Sequence, residues 1–589
     1  SGNAAYSFLK GFKASLAYQH SIYSKSDEQL HKLGSFFTRD LVNQYSQLDS
    51  SGKVVSWPVP RGDIFGGNDV TARISNLRAQ LDYSLSKKNV AVAALAGIDR
   101  RSFDLKGKEY TIYGKNLPAG SFTMNYDSMY TLSSGARSKI PKPIQPYDSA
   151  DHFFSYYGSA FVTFKDRYTF SANVRRDWSN RFSPGLNRKG IGLWSVGMGW
   201  NIDKEPFFKS NFINKLKLRA SYGVNGNIDY SIIPTHSIQS VNNGEVYTYA
   251  TPSTQQIGWE KTSMLNVGID IKNRFITSSI DYYLKQGSDL LQYSPRNPVT
   301  GTSIVKDNSG SLKGKGLDVD LQIKPIGISK KISYSTGFIL AHSTNKTTSN
   351  SGIKKAASEM IDPYAYAPIK GYPADALFAY RFAGLSSTNG APVGYIKGDT
   401  STNYTKIMGE TDGSSLQYVG SAVPTTGINW VNSIHFMERW SLSAMISGRF
   451  GYWVRKPALN YANILDGIGG EAPGFNSRWQ KAGDEKITSI PKLDFPANNN
   501  NYNNAMAFYE GSRANVVEGD HIRLQYVQIA YQYEKGEHAK FPFQRLECFL
   551  TASNLGIIYR KNKDNIDPDV PLNGYPAGRS LTLTLKLSY

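Results

Sequence analysis

The 589-residue sequence contains no run of eighteen or more apolar residues. A helical membrane span needs about 20 consecutive apolar residues, so that class is excluded. Strands cross a bilayer on only about 9 to 11 alternating residues, which leaves crossing by strands open. A single cysteine, Cys548, excludes an intrachain disulfide framework and gives no support to a cysteine-based metal site. The eight histidines, His20, His31, His152, His236, His342, His435, His521 and His538, show neither HExxH nor Cys/His spacing. A zinc hydrolase therefore has no motif behind it. There is no GxSxG elbow, and Gly310-Ser311-Leu312-Lys313-Gly314-Lys315-Gly316 has the wrong spacing for a phosphate loop. That stretch reads as a turn opening a strand. Heptads and capped helical stripes are scarce. No catalytic residue, metal or cofactor is assigned, and the expectation is a protein that is not an enzyme. Ser1-Gly2-Asn3 opens no secretory signal, so an exported chain would be mature or would begin elsewhere.

What is present points to a large sheet. The 38 Tyr, 28 Phe and 53 Gly fit an extended antiparallel architecture better than a helical one. The net charge of +20 is spread over dispersed Lys and Arg with no basic helix, finger or RNA-binding signature, which argues against nucleic acid. Anionic lipid, an acidic partner or an anionic solute suits such a charge better, as does acidic balance on another segment.

The last nine residues alternate without a break: Leu581, Leu583, Leu585, Leu587 and Tyr589 share one face, and Thr582, Thr584, Lys586 and Ser588 the other. A side-chain period of two produces this separation in a strand. The same pattern recurs at Leu77 to Leu85, and in the hairpin Tyr156–Phe164, Lys165-Asp166-Arg167, Tyr168–Val174. It returns at Trp194–Ile202, Leu216–Tyr222, Leu265–Ile271, Ile276–Leu284, Leu317–Ile323, Ile332–Leu340, Trp440–Ile446, Val527–Tyr533 and Leu546–Ala552, where Cys548 is a small apolar filler. About 16 strands emerge, joined alternately by short turns and long polar segments, as in transmembrane barrels. The expected fold is all-β, one transmembrane antiparallel β-barrel portion over residues 1–589. Its long loops are placed at about 22–70, 103–152, 178–190, 225–261, 287–313, 342–427, 451–518 and 557–578. The run Asn498 to Asn504 reads as a hydrated loop tip.

Candidate functional side chains are few. Arg78, Asp82, Arg175, Lys217, Arg219, Asp281, Lys285, Asp318 and Asp320 fall on the polar face, as the wall of a wetted pore or a surface gripping a plug. Asp564-Asn565-Ile566-Asp567-Pro568-Asp569 offers oxygen ligands for calcium but lacks EF-hand spacing, and a hydrated turn is the ordinary reading. Tyr372, Tyr380, Tyr395 and Tyr461 in the loops could stack on sugars or peptides or simply pack the loops together. Substrate-binding residues stay unassigned.

Several ordered stretches resemble one family. Trp259-Glu260-Lys261-Thr262, Ile280-Asp281-Tyr282-Tyr283 with Asp289-Leu290-Leu291, and Lys313-Gly314-Lys315-Gly316-Leu317-Asp318 are similar to the SusC/RagA-like TonB-dependent outer-membrane transporters of Bacteroidota. The likeness continues through Gly371-Tyr372-Pro373, Leu377-Phe378-Ala379-Tyr380-Arg381, Arg478-Trp479-Gln480 and Gly483-Asp484-Glu485. Gly519-Asp520-His521-Ile522-Arg523-Leu524, Ser553-Asn554-Leu555, Asp567-Pro568-Asp569 and Pro576-Ala577-Gly578-Arg579-Ser580 complete it. The resemblance implies an outer-membrane nutrient importer, for a glycan or peptide oligomer, with a barrel of about 22 strands and a plugged lumen. It implies as partners a SusD-like surface lipoprotein, TonB acting through a plug, outer-membrane lipid and lipopolysaccharide, and a possible dimer of the importer and lipoprotein pair. Leu585, Leu587 and Tyr589 look like the barrel-assembly signal. The sequence departs from the family in showing no plug domain or TonB box, with about six strands expected ahead of Phe12. The chain thus reads as the later part of such a barrel. The alternative is a passive porin of about 16 strands.

Overall fold

The computed structural model describes residues 1–588 apart from 119, 183–189, 230–236, 242–245, 252–256, 296, 298, 300–303, 330, 350–354, 362–367, 460, 462–463, 465–473, 494–499, 535–541 and 571–573. Tyr589 of the expected assembly signal lies outside the described residues.

Among the described residues one antiparallel sheet of seventeen strands dominates. In chain order these wall strands are β1 Gly2–Leu9, β2 Phe12–His31, β3 Ile64–Lys87, β4 Val90–Tyr113, β5 Ile144–Phe164 and β6 Tyr168–Ser179. They continue as β7 Ile191–Asn201, β8 Ile213–Asn227, β9 Glu260–Asn273, β10 Ile276–Pro295, β11 Ile304–Ser329 and β12 Ile332–Ser349. β13 Thr426–Phe436, β14 Trp440–Phe450, β15 His521–Glu534, β16 Arg545–Arg560 and β17 Ser580–Ser588 finish the wall. Each pairs with its sequence neighbours, so the sheet is an unbroken meander. Among the described residues β1 and β17 do not pair with each other.

Short turns gather at one end and long connections at the other, as alternating strand direction requires. In the turns at Lys165-Asp166 and Met437-Glu438 all four residues have positive φ, between +50° and +61°. Two consecutive left-handed residues make the turn whose twist matches a right-twisted hairpin.

The structure differs from the sequence reading in four respects. Seventeen wall strands are found among the described residues beside the expected number of about 16, and β1 is one the sequence reading did not mark. Its Gly2-Asn3-Ala4-Ala5 start carries too little apolar contrast to show a period of two. Secondly, several strands run beyond the apolar band: β2 reaches His31, β4 reaches Tyr113, and β10 and β11 meet across 296–303. The polar run Ser24 to Gln29 still pairs, residue by residue, with Gly66 to Thr71. Both faces of such a segment meet water, so pairing continues without an amphipathic signal, and the long connections are narrower there than 22–70, 103–152 and 287–313. Thirdly, Gly310–Gly316 is no turn but lies inside β11. Lastly, the part of the Asn-rich stretch that is described opens a helix, Asn500–Glu510, instead of a hydrated tip. Tyr502, Ala505, Phe508 and Tyr509 recur at helical spacing and are buried.

The wall itself has almost no interior. On β17, Leu581, Leu583 and Leu585 are 72%, 62% and 60% exposed, with no protein covering them. Large apolar side chains on the same face of the other strands, among them Leu77, Trp194, Val267, Tyr282, Trp430 and Leu550, are exposed as well. The buried clusters lie in the connections. One, around Ala357, Phe378, Tyr380, Tyr404, Ile407 and Phe508, unites the segments 350–425 and 451–520 into a loop head. Another joins Val42, Tyr45, Val59, Ile64, Tyr113 and Ile140 across 32–63 and 114–143. No described helix is long and apolar enough to cross a membrane.

Candidate functional site: a polar inner face beneath a packed loop head

On the face opposite the apolar one, strand register brings charged residues into two clusters. In the first, Arg78 of β3 pairs with Asp99 of β4 at 3.2 Å, directly across the strands. Arg175 of β6 reaches Asp177 at 2.6 Å and donates to the Ser155 hydroxyl at 2.7 Å. Tyr157 lies between the two arginines, with their guanidinium groups 5.8 and 5.7 Å from its ring centre. Its hydroxyl donates to Gln80 at 2.9 Å. This ring crosses the strand where there is no side chain: a Cβ on Gly97 would sit 2.6 Å from the Tyr157 ring.

In the second cluster Arg219 of β8 bridges Asp270 of β9 and Asp281 of β10, each at 2.9 Å, and donates to Ser279 at the same distance. Register places Arg219 and Asp281 on opposite sides of Gly268. A Cβ there would lie 2.5 Å from the Asp281 carboxylate and 2.8 Å from the Arg219 guanidinium. The glycine is what lets the pair meet across an intervening strand. Asp318 stands directly opposite Asp281. Of the residues the sequence marked, Arg78, Arg175, Arg219 and Asp281 enter these clusters, and Asp82 accepts from Gln80 at 2.7 Å. Lys217, Lys285, Asp318 and Asp320 share the face but have no ion pair within 4.0 Å among the described residues. The sequence reading missed Asp99, Asp177 and Asp270, although following the alternation of β4, β6 and β9 would have found them.

Two cavities open on this face. One of about 300 Å³ adjoins the first cluster and is bounded by Asp99, Arg175, Asn227 and Trp259. The other, about 380 Å³, lies between the ends of β12 to β15 and the head, bounded by Asn345, Asp375, Tyr418, Trp453, Asp520 and Lys561.

The segments of the head are tied to one another by one buried cation. Arg455 donates to the carbonyls of Gly511 and Ile361, each at 3.2 Å, and to that of Phe378. Three separate chain segments thus converge on one guanidinium. Burial penalises its charge and pulls its pKa down to about 10. Of the loop tyrosines, Tyr380 and Tyr461 are fully buried and pack the head, so they cannot stack on a ligand. Tyr372 is exposed beside Tyr418, with ring centres 5.0 Å apart, and Arg381 lies 4.5 Å from the centre of the Tyr395 ring.

The final long connection is clasped to the start of β15. His521, fully buried, donates from Nδ1 to the Gly519 carbonyl at 2.9 Å and from Nε2 to Asp569 at 3.1 Å. Arg523 donates to Asp569 at 3.1 Å and also binds Asp567. Burial opposes charge on His521, but the bonds to Asp569 and Gly519 outweigh it and hold the imidazole above its ordinary value. The His521 hydrogen bond holds Asp569 below the usual carboxylate range. Of the candidate calcium ligands, Asp567 and Asp569 therefore face cations, and Asp564 faces Lys456 at 3.2 Å. No described group of His, Cys, Asp and Glu is arranged to hold a metal.

A sheet that turns apolar side chains outward from one face and gathers ion pairs on the other is the architecture of a transmembrane barrel wall. Residues 2–426 match the family described as TonB dependent receptor-like, beta-barrel, and the chain belongs to that family. It is similar to TonB-dependent receptor P3 of Formosa agariphila, 23% identical over 517 residues, covering 80% of this chain and 48% of that protein. It is also similar to TonB-dependent receptor SusC of Bacteroides thetaiotaomicron, 28% identical over 368 residues, covering 56% of this chain and 34% of that one. The fold matches a chain in the structure of the RagAB peptide transporter with a TM-score of 0.75 at 18% identity, over 100% of this chain and 61% of that one. The chain thus spans about half or less of the length of these curated relatives. The SusC/RagA likeness read from the sequence stands, and the protein is an outer-membrane β-barrel.

Proposed function

We propose that this chain forms the later wall and the outer loop head of a TonB-dependent importer that takes up a glycan or peptide oligomer. The observation that carries the reading is the family match joined to a polar inner face braced by ion pairs under a head with its own core. Further strands of the receptor complete the wall in this reading: the seventeen strands found among the described residues have first and last members running the same way, and such a meander does not close with antiparallel pairs alone. This parity also disfavours the passive porin of about 16 strands. The long connections face outward, where a SusD-like lipoprotein covers them, and a plug drawn by TonB gates the lumen. Pairs of importer and lipoprotein assemble as dimers. The reading includes no bond-making chemistry and no nucleic-acid partner. The test is uptake of labelled oligosaccharides and oligopeptides by cells carrying or lacking TonB, with pull-down of the tagged receptor. Uptake that stops without TonB, and a co-purifying surface lipoprotein, are expected. Undiminished uptake would restore the porin.

A further inference from the structure

On the apolar, outward face, register lines up side chains across five strands. Tyr222 of β8, Leu265 of β9, Leu284 of β10, Lys315 of β11 and Thr344 of β12 form one row. The next row toward the long connections holds Val224, Ser263, Gln286, Lys313 and Lys346. The row on the other side, Ala220, Val267, Tyr282, Leu317 and His342, is mostly apolar. Barrel strands tilt by about 35–45°, so a row perpendicular to them climbs out of the hydrocarbon as it crosses the sheet. The lysines stand where this face leaves the membrane at its outer edge.

A groove of about 700 Å³ runs along this boundary, bounded by Tyr222, Leu265, Leu284, Lys313, Lys315 and Lys346. All three lysines are exposed, and none has a carboxylate within 4.0 Å among the described residues. Lys261, on the same face, is instead paired with Asp289 at 2.9 Å. Lys313 and Lys346 lie directly across from one another. Like charges directly opposite on neighbouring strands repel, and an anion between them would relieve that repulsion.

We propose that this groove binds the phosphorylated, multiply acylated glycolipid of the outer leaflet. A phosphate bridges Lys313 and Lys346 with Lys315 beneath it, while acyl chains lie against Tyr222, Leu265 and Leu284. A free anion would satisfy the lysines but leave the apolar floor uncovered; a neutral lipid would do the reverse. The proposal rests on the orientation given above, with the long connections outward.

The test uses the complete receptor, extracted in mild detergent, stripped of lipid and titrated with lipid A, dephosphorylated lipid A or phosphatidylglycerol by native mass spectrometry. Each surface cation near anionic lipid is worth roughly fivefold in affinity, so Lys313→Gln, Lys315→Gln and Lys346→Gln together should weaken lipid A binding roughly a hundredfold. Dephosphorylated lipid A should bind weakly to wild type and variant alike. Equal lipid A affinity in wild type and variant overturns the proposal. So does phosphatidylglycerol binding the wild type as tightly as lipid A through the same lysines. If the triple variant does not fold, the dephosphorylated probe on wild type still decides: unaltered affinity overturns the site. Heat-modifiable migration of the wild type in SDS separates the two levels, since its absence would undo the barrel reading itself.

Discussion

The wall and the loop head are held together by different solvents. In the wall, Leu583 is 62% exposed and its neighbour across the strands is Leu550, which is exposed too. In the head, Tyr380 and Phe508 are fully buried with ring centres 5.2 Å apart. The wall turns its apolar atoms toward lipid and relies on backbone pairing, which lipid cannot replace. The head builds an ordinary interior and is stabilised by removing apolar surface from water. One chain thus contains a part that needs the membrane and a part that needs water.

This contrast can be broken from either side. Phe508→Ala should cost the head about 3–5 kcal/mol, the usual loss for a fully buried ring. Limited proteolysis should then cut within 350–425 and 451–520, while heat-modifiable migration of the barrel persists. Leu583→Arg should do the opposite: a cation on the lipid face near the midplane costs about 2–4 kcal/mol and should block assembly, whereas Thr584→Arg on the polar face should be tolerated. A heat-shift assay on membranes compares the two. Gly268→Ala should be milder, pushing apart Arg219 and Asp281 and costing about 1–3 kcal/mol without preventing insertion. Denaturant titration in detergent reads that loss, which should vanish in an Arg219→Met background.

The smallest expected effect concerns the clasp at His521. Its folded pKa is raised, so its contribution is fully present below the unfolded value of about 6.5 and is lost as pH rises through the folded value. Asp569 is lowered, so its contribution is present above about 3.8 and is lost as pH falls through its folded value. The connection 561–579 should therefore resist proteolysis best between about pH 4 and 6.5 and become more susceptible above it. Asp569 is half exposed, so the effect should stay below about 1 kcal/mol. His521→Gln should remove the pH dependence.

The strands were legible because lipid and water demand different residues on alternating positions, as Leu581 to Ser588 show. Where both sides are wet, as at Ser24 to Gln29, the demand disappears and so did the signal. The fourfold arrangement of Arg219, Asp270, Ser279 and Asp281 was half visible: the face was legible, but the meeting across Gly268 depends on register between three strands. Of the head only the packing role of loop tyrosines such as Tyr380 and Tyr461 was legible, and its contacts were not. Tyr380 and Phe508 are far apart in sequence, and Asn500 to Asn504 looked like a solvated tip until the helix carrying Tyr502 was placed against its neighbours. The same holds for His521 and Asp569, joined only by the closing of the last long connection.

The central claim is that the two faces of the sheet meet lipid and water respectively. In the complete receptor with Cys548→Ser, single cysteines placed in turn from Leu581 to Ser588 can carry a fluorophore, quenched either by nitroxide lipid or by a water-soluble agent. Positions 581, 583, 585 and 587 should be quenched from the lipid and positions 582, 584, 586 and 588 from the water, in strict alternation. Equal quenching of both sets by the aqueous agent would contradict the account.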